Sequence, residues 1–195
     1  MEVLADSFEG KKLNAPNDIV VKSDDHIGPG GPLSAVITDL AGPNGLAFSP
    51  DEKKLDVVEW KGTPNRSIWS YDVGADGVSL SNKTKLIDAA DQGALDGFRV
   101  DRDGKLWCGW GSNGALQAEP SDVGGLKVYQ LKGKSEDRDG VMVFNPQGKA
   151  IGFIKLPERC PNLCFGGPKR NRRYMASAHS LYVLWVEARG AVQVV

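Results

Sequence analysis

Gly42-Pro43-Asn44-Gly45-Leu46-Ala47-Phe48-Ser49-Pro50-Asp51-Glu52-Lys53-Lys54-Leu55-Asp56-Val57-Val58 is the stretch from which the fold can be read. Two short apolar runs, Leu46 to Ser49 and Leu55 to Val58, flank a Pro-Asp-Glu-Lys turn, the pattern of a β-hairpin. A polar residue, Asn44, stands just ahead of the first run. The arrangement recurs three times. Pro16-Asn17-Asp18-Ile19-Val20-Val21 is followed by Ser23-Asp24-Asp25. Leu95-Asp96-Gly97-Phe98-Arg99-Val100 is followed by Asp101-Arg102-Asp103-Gly104 and a strand over Lys105 to Trp110. Pro161-Asn162-Leu163-Cys164-Phe165 is followed by a turn over Gly166 to Arg173 and then Tyr174-Met175-Ala176.

Working outward, the second unit continues with strands over Ser67 to Val73 and Thr84 to Asp88. The third continues with Gly140 to Asn145 and Ile151 to Leu156, the fourth with Leu181 to Val186 and a final strand over Val192 to Val195. The first unit is short. After its strand comes Gly28-Pro29-Gly30-Gly31-Pro32, which strand geometry does not tolerate, and only Ser34 to Leu40 remains before the next unit. Ahead of it lies a strand over Val3 to Phe8 and the charged turn Glu9-Gly10-Lys11-Lys12. Between the second and third strands of the third unit, Gly111 to Asp139 is polar and Gly-rich and reads as a mobile loop. No segment has helical periodicity with caps. Four strand-like segments per unit, at spacings near the ~40–50 residues of a propeller blade, predict an all-β chain, a β-propeller of about four blades whose first is incomplete. The units are 1–40, 41–90, 91–157 and 158–195, in one domain.

In a propeller the first strand of each blade lines the central channel, so Asn17, Asn44, Asp96 and Asn162 are expected to face one another at one mouth. A ring of oxygen donors with one carboxylate suits a hard divalent cation such as calcium. The same residue types also serve as plain turn formers ahead of strands.

Composition narrows the function classes. Of 195 residues, 41% are hydrophobic and 25% charged, with a net charge of −1, so no global field favours nucleic acid or an anionic membrane. No apolar run approaches the ~20 residues of a membrane span, and Met1-Glu2-Val3-Leu4-Ala5-Asp6 lacks the basic and apolar regions of a signal peptide. The chain as encoded is therefore expected in the cytoplasm, while a longer precursor is compatible with the periplasm. Cys108, Cys160 and Cys164 form no disulfide framework and read as buried, reduced thiols. Gly109-Trp110-Gly111-Ser112-Asn113-Gly114 matches a dinucleotide-binding pattern, but no helix follows. Asp101-Arg102-Asp103-Gly104 is a hairpin turn, not a calcium-binding helix–loop–helix. Lys169-Arg170-Asn171-Arg172-Arg173 falls at a first-hairpin position and reads as a solvated turn.

Leu13-Asn14-Ala15-Pro16-Asn17-Asp18-Ile19-Val20-Val21, Gly42 to Asp51, Asp96-Gly97-Phe98-Arg99 with Leu106-Trp107-Cys108-Gly109-Trp110-Gly111, and Leu156 to Gly167 together resemble the gluconolactonase branch of the senescence-marker-protein/regucalcin/gluconolactonase family. The resemblance implies a six-bladed β-propeller with one catalytic divalent cation on its axis and hydrolysis of small sugar lactones; the ring of oxygen donors makes calcium the first expectation for that cation, with zinc or manganese as alternatives. By the same resemblance Asn44 and Asp96 match metal ligands and Asp96 also matches the general base. Asn17 matches a residue contacting the metal-site water or substrate. Asn162, by its repeat position alone, is expected nearby as a substrate-side lining residue. The family's remaining ligand is a Glu in a first blade that is absent here, and Glu9 lies in the wrong context to replace it. A substrate-side loop is missing between Ile27 and Pro32. The expectation is thus a shortened lactonase, with a non-catalytic propeller fragment or metal-binding module as the alternative.

Overall fold

The computed structural model describes residues 6–13, 17–23, 33–62, 66–89, 92–112, 121–128 and 137–191. Strands are numbered in chain order, and among the described residues there is no α-helix. A short hairpin pairs β1 (Ser7–Phe8) with β2 (Lys11–Lys12). The first large sheet runs β3 (Pro43–Phe48), β4 (Lys54–Glu59), β5 (Ser67–Val73) and β6 (Leu80–Asp88), each strand antiparallel to the next. The second repeats that order with β7 (Ala94–Val100), β8 (Leu106–Gly111), β11 (Gly140–Phe144) and β12 (Ala150–Lys155). The third is β13 (Asn162–Gly166), β14 (Arg172–Ala176) and β15 (Leu181–Trp185).

The sheets stack face to face, and the sequence says why. Along β4, Leu55 and Val57 point to one face while Asp56 and Val58 point to the other, and all four are buried. Val58, Ile68 and Ile87 pack against Leu95, Phe98 and Trp110 of the second sheet. Leu55, Val57 and Tyr71 are covered on the opposite face by Val20, Ile37 and Leu40. Every residue of β8 is buried, because this strand packs on both faces. Its Trp107, with Val141 and Val143, meets Leu163 and Met175 of the third sheet. The first strands of the three sheets are neighbours in space, β3 beside β7 and β7 beside β13. Backbone bonds from Gly97 N–H to the Pro161 carbonyl (2.8 Å) and from Ala191 N–H to the Val100 carbonyl (3.1 Å) tie the second sheet to the third.

Several expectations are corrected. Residues 17–22 join no ladder, although they read as the first unit's opening strand; Val20 packs as a cover on the first sheet instead. Residues 34–40 likewise form no strand. The connection from Gly111 to Asp139 contains a hairpin of β9 (Ser121–Val123) and β10 (Leu126–Val128). The strand expected over Val3 to Phe8 is described only as Ser7–Phe8, and Lys11–Lys12 pairs with it where a turn was expected. Cys164 is exposed while Cys108 and Cys160 are buried; all three are free. In the basic run, Arg173 is fully buried between Trp107 and Phe165 rather than solvated. The third sheet has three strands, and the fourth expected over Val192 to Val195 lies outside the described residues, as does Asn14 to Pro16. No helix among the described residues is long and apolar enough to cross a membrane.

Candidate functional site

Asn44 and Asp96 sit at irregularities in their ladders. Pro43 pairs with Glu59 and Leu46 with Val57, so Asn44 and Gly45 together oppose only Val58. In the next sheet Leu95 pairs with Trp110 and Phe98 with Cys108, so Asp96 and Gly97 together oppose only Gly109. These are β-bulges, which bend a strand and re-aim a side chain out of the regular alternation. The glycine in each lets the neighbouring first strand come close. A Cβ at Gly45 would lie 2.6 Å from the Asp96 carbonyl oxygen and 2.8 Å from Gly97 Cα. A Cβ at Gly97 would lie 2.5 Å from Asn162 Oδ1. Asn44, Asp96 and Asn162 therefore form a row across three adjacent strands. The Asn44 amide is hydrogen-bonded to the Asp96 carboxylate, and Asn162 Oδ1 accepts from the Leu163 N–H at 2.8 Å.

Burial pushes the Asp96 carboxyl above its ordinary pKa, and four features oppose that rise. They are the Asn44 amide, the Gly97 N–H and the positive charges of Arg159 and Arg66. Asp96, Trp110, Arg159 and Cys160 line a small cavity at this end of the strands. Arg66 donates through Nε to the Trp60 carbonyl at 2.9 Å and lies over the Trp60 ring; burial lowers its pKa while Asp96 raises it. Arg159 is carried by a loop that its neighbour Glu158 anchors, accepting from the His179 N–H (2.8 Å) and the Tyr182 hydroxyl (3.1 Å).

The row offers three hard oxygen donors and a single negative charge. Those donor types fit a hard divalent cation that completes its shell with water, although two guanidiniums beside Asp96 compete with it. Among the described residues, no three His, Cys, Asp or Glu side chains cluster as a metal site. Asn17 is exposed, and no hydrogen bond among the described residues joins it to the row. Its neighbour Asp18 instead meets Arg99 of β7 at 3.5 Å.

A family profile for the SMP-30/Gluconolactonase/LRE-like region matches residues 26–179. The chain belongs to that family. A gluconolactonase of Zymomonas mobilis subsp. mobilis is 25% identical to this family member over 216 residues, covering 92% of this chain and 52% of its own length. A solved structural-genomics structure of a gluconolactonase candidate superposes with a TM-score of 0.71 at 28% identity, over 98% of this chain and 65% of that one. The gluconolactonase of Xanthomonas campestris gives a TM-score of 0.64 at 26% identity, over 94% of this chain and 61% of that one. A calcium-binding regucalcin from Agrobacterium tumefaciens shares the fold at 20% identity, with a TM-score of 0.55 over 74% of this chain and 40% of its own. The chain spans about half the length of the curated gluconolactonase it matches.

The repeat positions lead to the expectation that Asn17, Asn44, Asp96 and Asn162 share one mouth. Asn44, Asp96 and Asn162 lie on three adjacent first strands, while no hydrogen bond among the described residues joins Asn17 to them, and the repeat carries no signal for Arg66 and Arg159. Arg66 lies on the connection from β4 to β5 and Arg159 on the connection from β12 to β13, where the repeat gives no register. The bulges did leave a signal: Asn44-Gly45 and Asp96-Gly97 are the same polar–glycine pair at the same point of two units.

Proposed function

We propose that this family member hydrolyses small sugar lactones in the manner of a gluconolactonase, on consecutive blades of a six-bladed-type β-propeller of which it carries about four, divided at 1–40, 41–90, 91–157 and 158–195. The observation that supports it best is the row of Asn44, Asp96 and Asn162 across three adjacent first strands, with Asn44 bonded to the Asp96 carboxylate.

Hydrolysis adds water across the ring ester, breaks the ring C–O bond and releases an aldonate. Asp96 is the one ionisable group in the row, so it takes the proton from the attacking water and returns it to the leaving ring oxygen. The amide of Asn44 fixes the carboxylate in place and, with the Gly97 N–H and the charges of Arg159 and Arg66, opposes the rise that burial imposes on its pKa. Asn162 offers its amide to a sugar hydroxyl, and Asn17 orients the water or a hydroxyl from the substrate side. A divalent cation, calcium first and zinc or manganese next, would be held by Asn44 and Asp96 and supplies Lewis-acid stabilisation of the developing oxyanion. The single carboxylate among two arginines favours a second reading, a non-catalytic propeller fragment or metal-binding module. Base consumption with glucono-1,5-lactone, corrected for spontaneous hydrolysis, separates the two. Lactonase action predicts turnover that chelator removes and calcium restores, whereas no turnover with calcium, zinc or manganese leaves the non-catalytic reading.

A further inference from the structure

A polar row interrupts the apolar face that the first sheet turns to the second. Asp56 of β4 pairs with Ser70 of β5, and Ser70 with Thr84 of β6, so the three side chains point the same way. The row two residues along, Val58 with Ile68 and Ile87, is wholly apolar and packs on the second sheet. At the polar row the two sheets leave a cavity of about 490 Å³. Asp56, Ser70 and Thr84 line it from the first sheet, and Val100, Leu106 and Pro146 from the second. A Cβ at Gly148 would lie 2.0 Å from the Leu86 carbonyl oxygen, so the β11–β12 turn that carries Pro146 rests on β6. The cavity lies past the ends of β3 and β7, away from Asn44 and Asp96 at their starts.

Asp56 is 5% exposed, and its Oδ1 has no hydrogen-bond partner among the described residues. The other charges at the cavity are engaged or exposed. Lys54 meets Asp72 at 2.6 Å, Asp103 meets Lys105, Asp51 accepts from the Ser49 hydroxyl at 2.7 Å, and Arg102 is exposed. From the second sheet, the Cys108 thiol is near enough for Asp56 to act on it, and burial keeps that thiol protonated. The Ser70 hydroxyl and the charge of Lys54 offset only part of the burial of Asp56. A buried carboxylate at a cavity, short of a matching cation, has the character of a ligand anchor.

We propose that this cavity binds a small organic primary ammonium ion, its head on the Asp56 carboxylate and its hydrocarbon body against Val100, Leu106 and Pro146. An ammonium has three protons to place. The carboxylate accepts one. The hydroxyl oxygens of Ser70 and Thr84 line the same wall and can accept the others, since their own protons go to Asp56 and to the Ser70 carbonyl (3.4 Å). A metal ion suits the cavity less well, because no three His, Cys, Asp or Glu side chains among the described residues gather as a metal site. An alcohol would leave the buried charge unmatched.

Isothermal titration calorimetry of the full chain at pH 8, with benzylammonium chloride and with benzyl alcohol, tests this. The parent is expected to bind benzylammonium about tenfold or more tightly than the alcohol. Asp56→Asn keeps the shape of the side chain and removes its charge; it is expected to lose that advantage and to bind the alcohol as the parent does. Burial raises the Asp56 carboxyl to about 6, so at pH 4 the parent too should lose about tenfold for benzylammonium and nothing for the alcohol. That arm decides the matter if circular dichroism shows the variant unfolded. No binding of benzylammonium at ~10 mM, equal affinity for ammonium and alcohol, or a folded Asp56→Asn protein that binds like the parent would each overturn the proposal.

Discussion

Asp56→Asn is expected to stabilise the protein at neutral pH and to do almost nothing in acid. Asp56 lies on the face of β4 that meets the second sheet, with 5% of its surface exposed. Its Oδ1 has no hydrogen-bond partner; the Ser70 hydroxyl and the charge of Lys54 offset only part of the burial. Burial raises the carboxyl from 3.8 to about 6. The folded state therefore binds this proton more tightly than the unfolded chain. Below the unfolded value both states are protonated and the group contributes nothing. As pH rises through the interval, stability is lost, and above the folded value the loss is complete. A shift of about two units at ~1.36 kcal/mol each amounts to roughly 3 kcal/mol. The amide of Asn is neutral at every pH and its oxygen still accepts from Ser70. The gain over the parent should thus be about 0.5 kcal/mol near pH 4 and roughly 3 kcal/mol at pH 8. Urea unfolding followed by tryptophan fluorescence measures it. With a slope of about 2 kcal/mol/M, the midpoint at pH 8 should rise by roughly 1.5 M. A gain that does not depend on pH would refute the reasoning.

Gly45→Ala drives a Cβ to 2.6 Å from the Asp96 carbonyl oxygen and 2.8 Å from Gly97 Cα, both backbone atoms, so a loss of about 2–4 kcal/mol is expected in the same urea assay. The parent's stability in that variant would mean that the two first strands do not approach as described. Arg173→Met removes a fully buried guanidinium whose three nitrogens lack hydrogen-bond partners, while keeping an adaptable chain beside Phe165 and Trp107. It is expected to cost less than about 1 kcal/mol or to stabilise, whereas Arg173→Ala leaves a cavity and costs about 3 kcal/mol. Equal damage from both in thermal melts would show that the charge itself holds the second and third sheets together.

The sheets were legible because hairpin signals are local. Ser67–Val73 lies where its alternation places it, and Asp101 closes the β7–β8 turn as its spacing suggests, accepting from the N–H groups of Asp103 (3.0 Å) and Lys105 (2.9 Å). Residues 17–22 carry the same signal yet join no ladder, since apolar alternation marks a face to be covered and says nothing about whether a strand lies alongside. Arg173 read as solvated because charge runs usually are; its burial depends on Trp107, 66 positions earlier in the chain, closing over it from another sheet. In the candidate site, the repeat register singled out Asn17, Asn44, Asp96 and Asn162, of which the last three fall on adjacent first strands. It was silent on Arg66 and Arg159, because side chains on loops are positioned by packing and not by the repeat.

The central claim is that Asp96 acts as the base in lactone hydrolysis, and the most direct measurement is kcat/KM of Asp96→Asn on glucono-1,5-lactone with calcium present. Asparagine preserves the shape of the bulge and the contact with Asn44 but cannot accept a proton at neutral pH. The account predicts a fall of about a hundredfold or more with an unchanged circular dichroism spectrum. Activity within about twofold of the parent would contradict it.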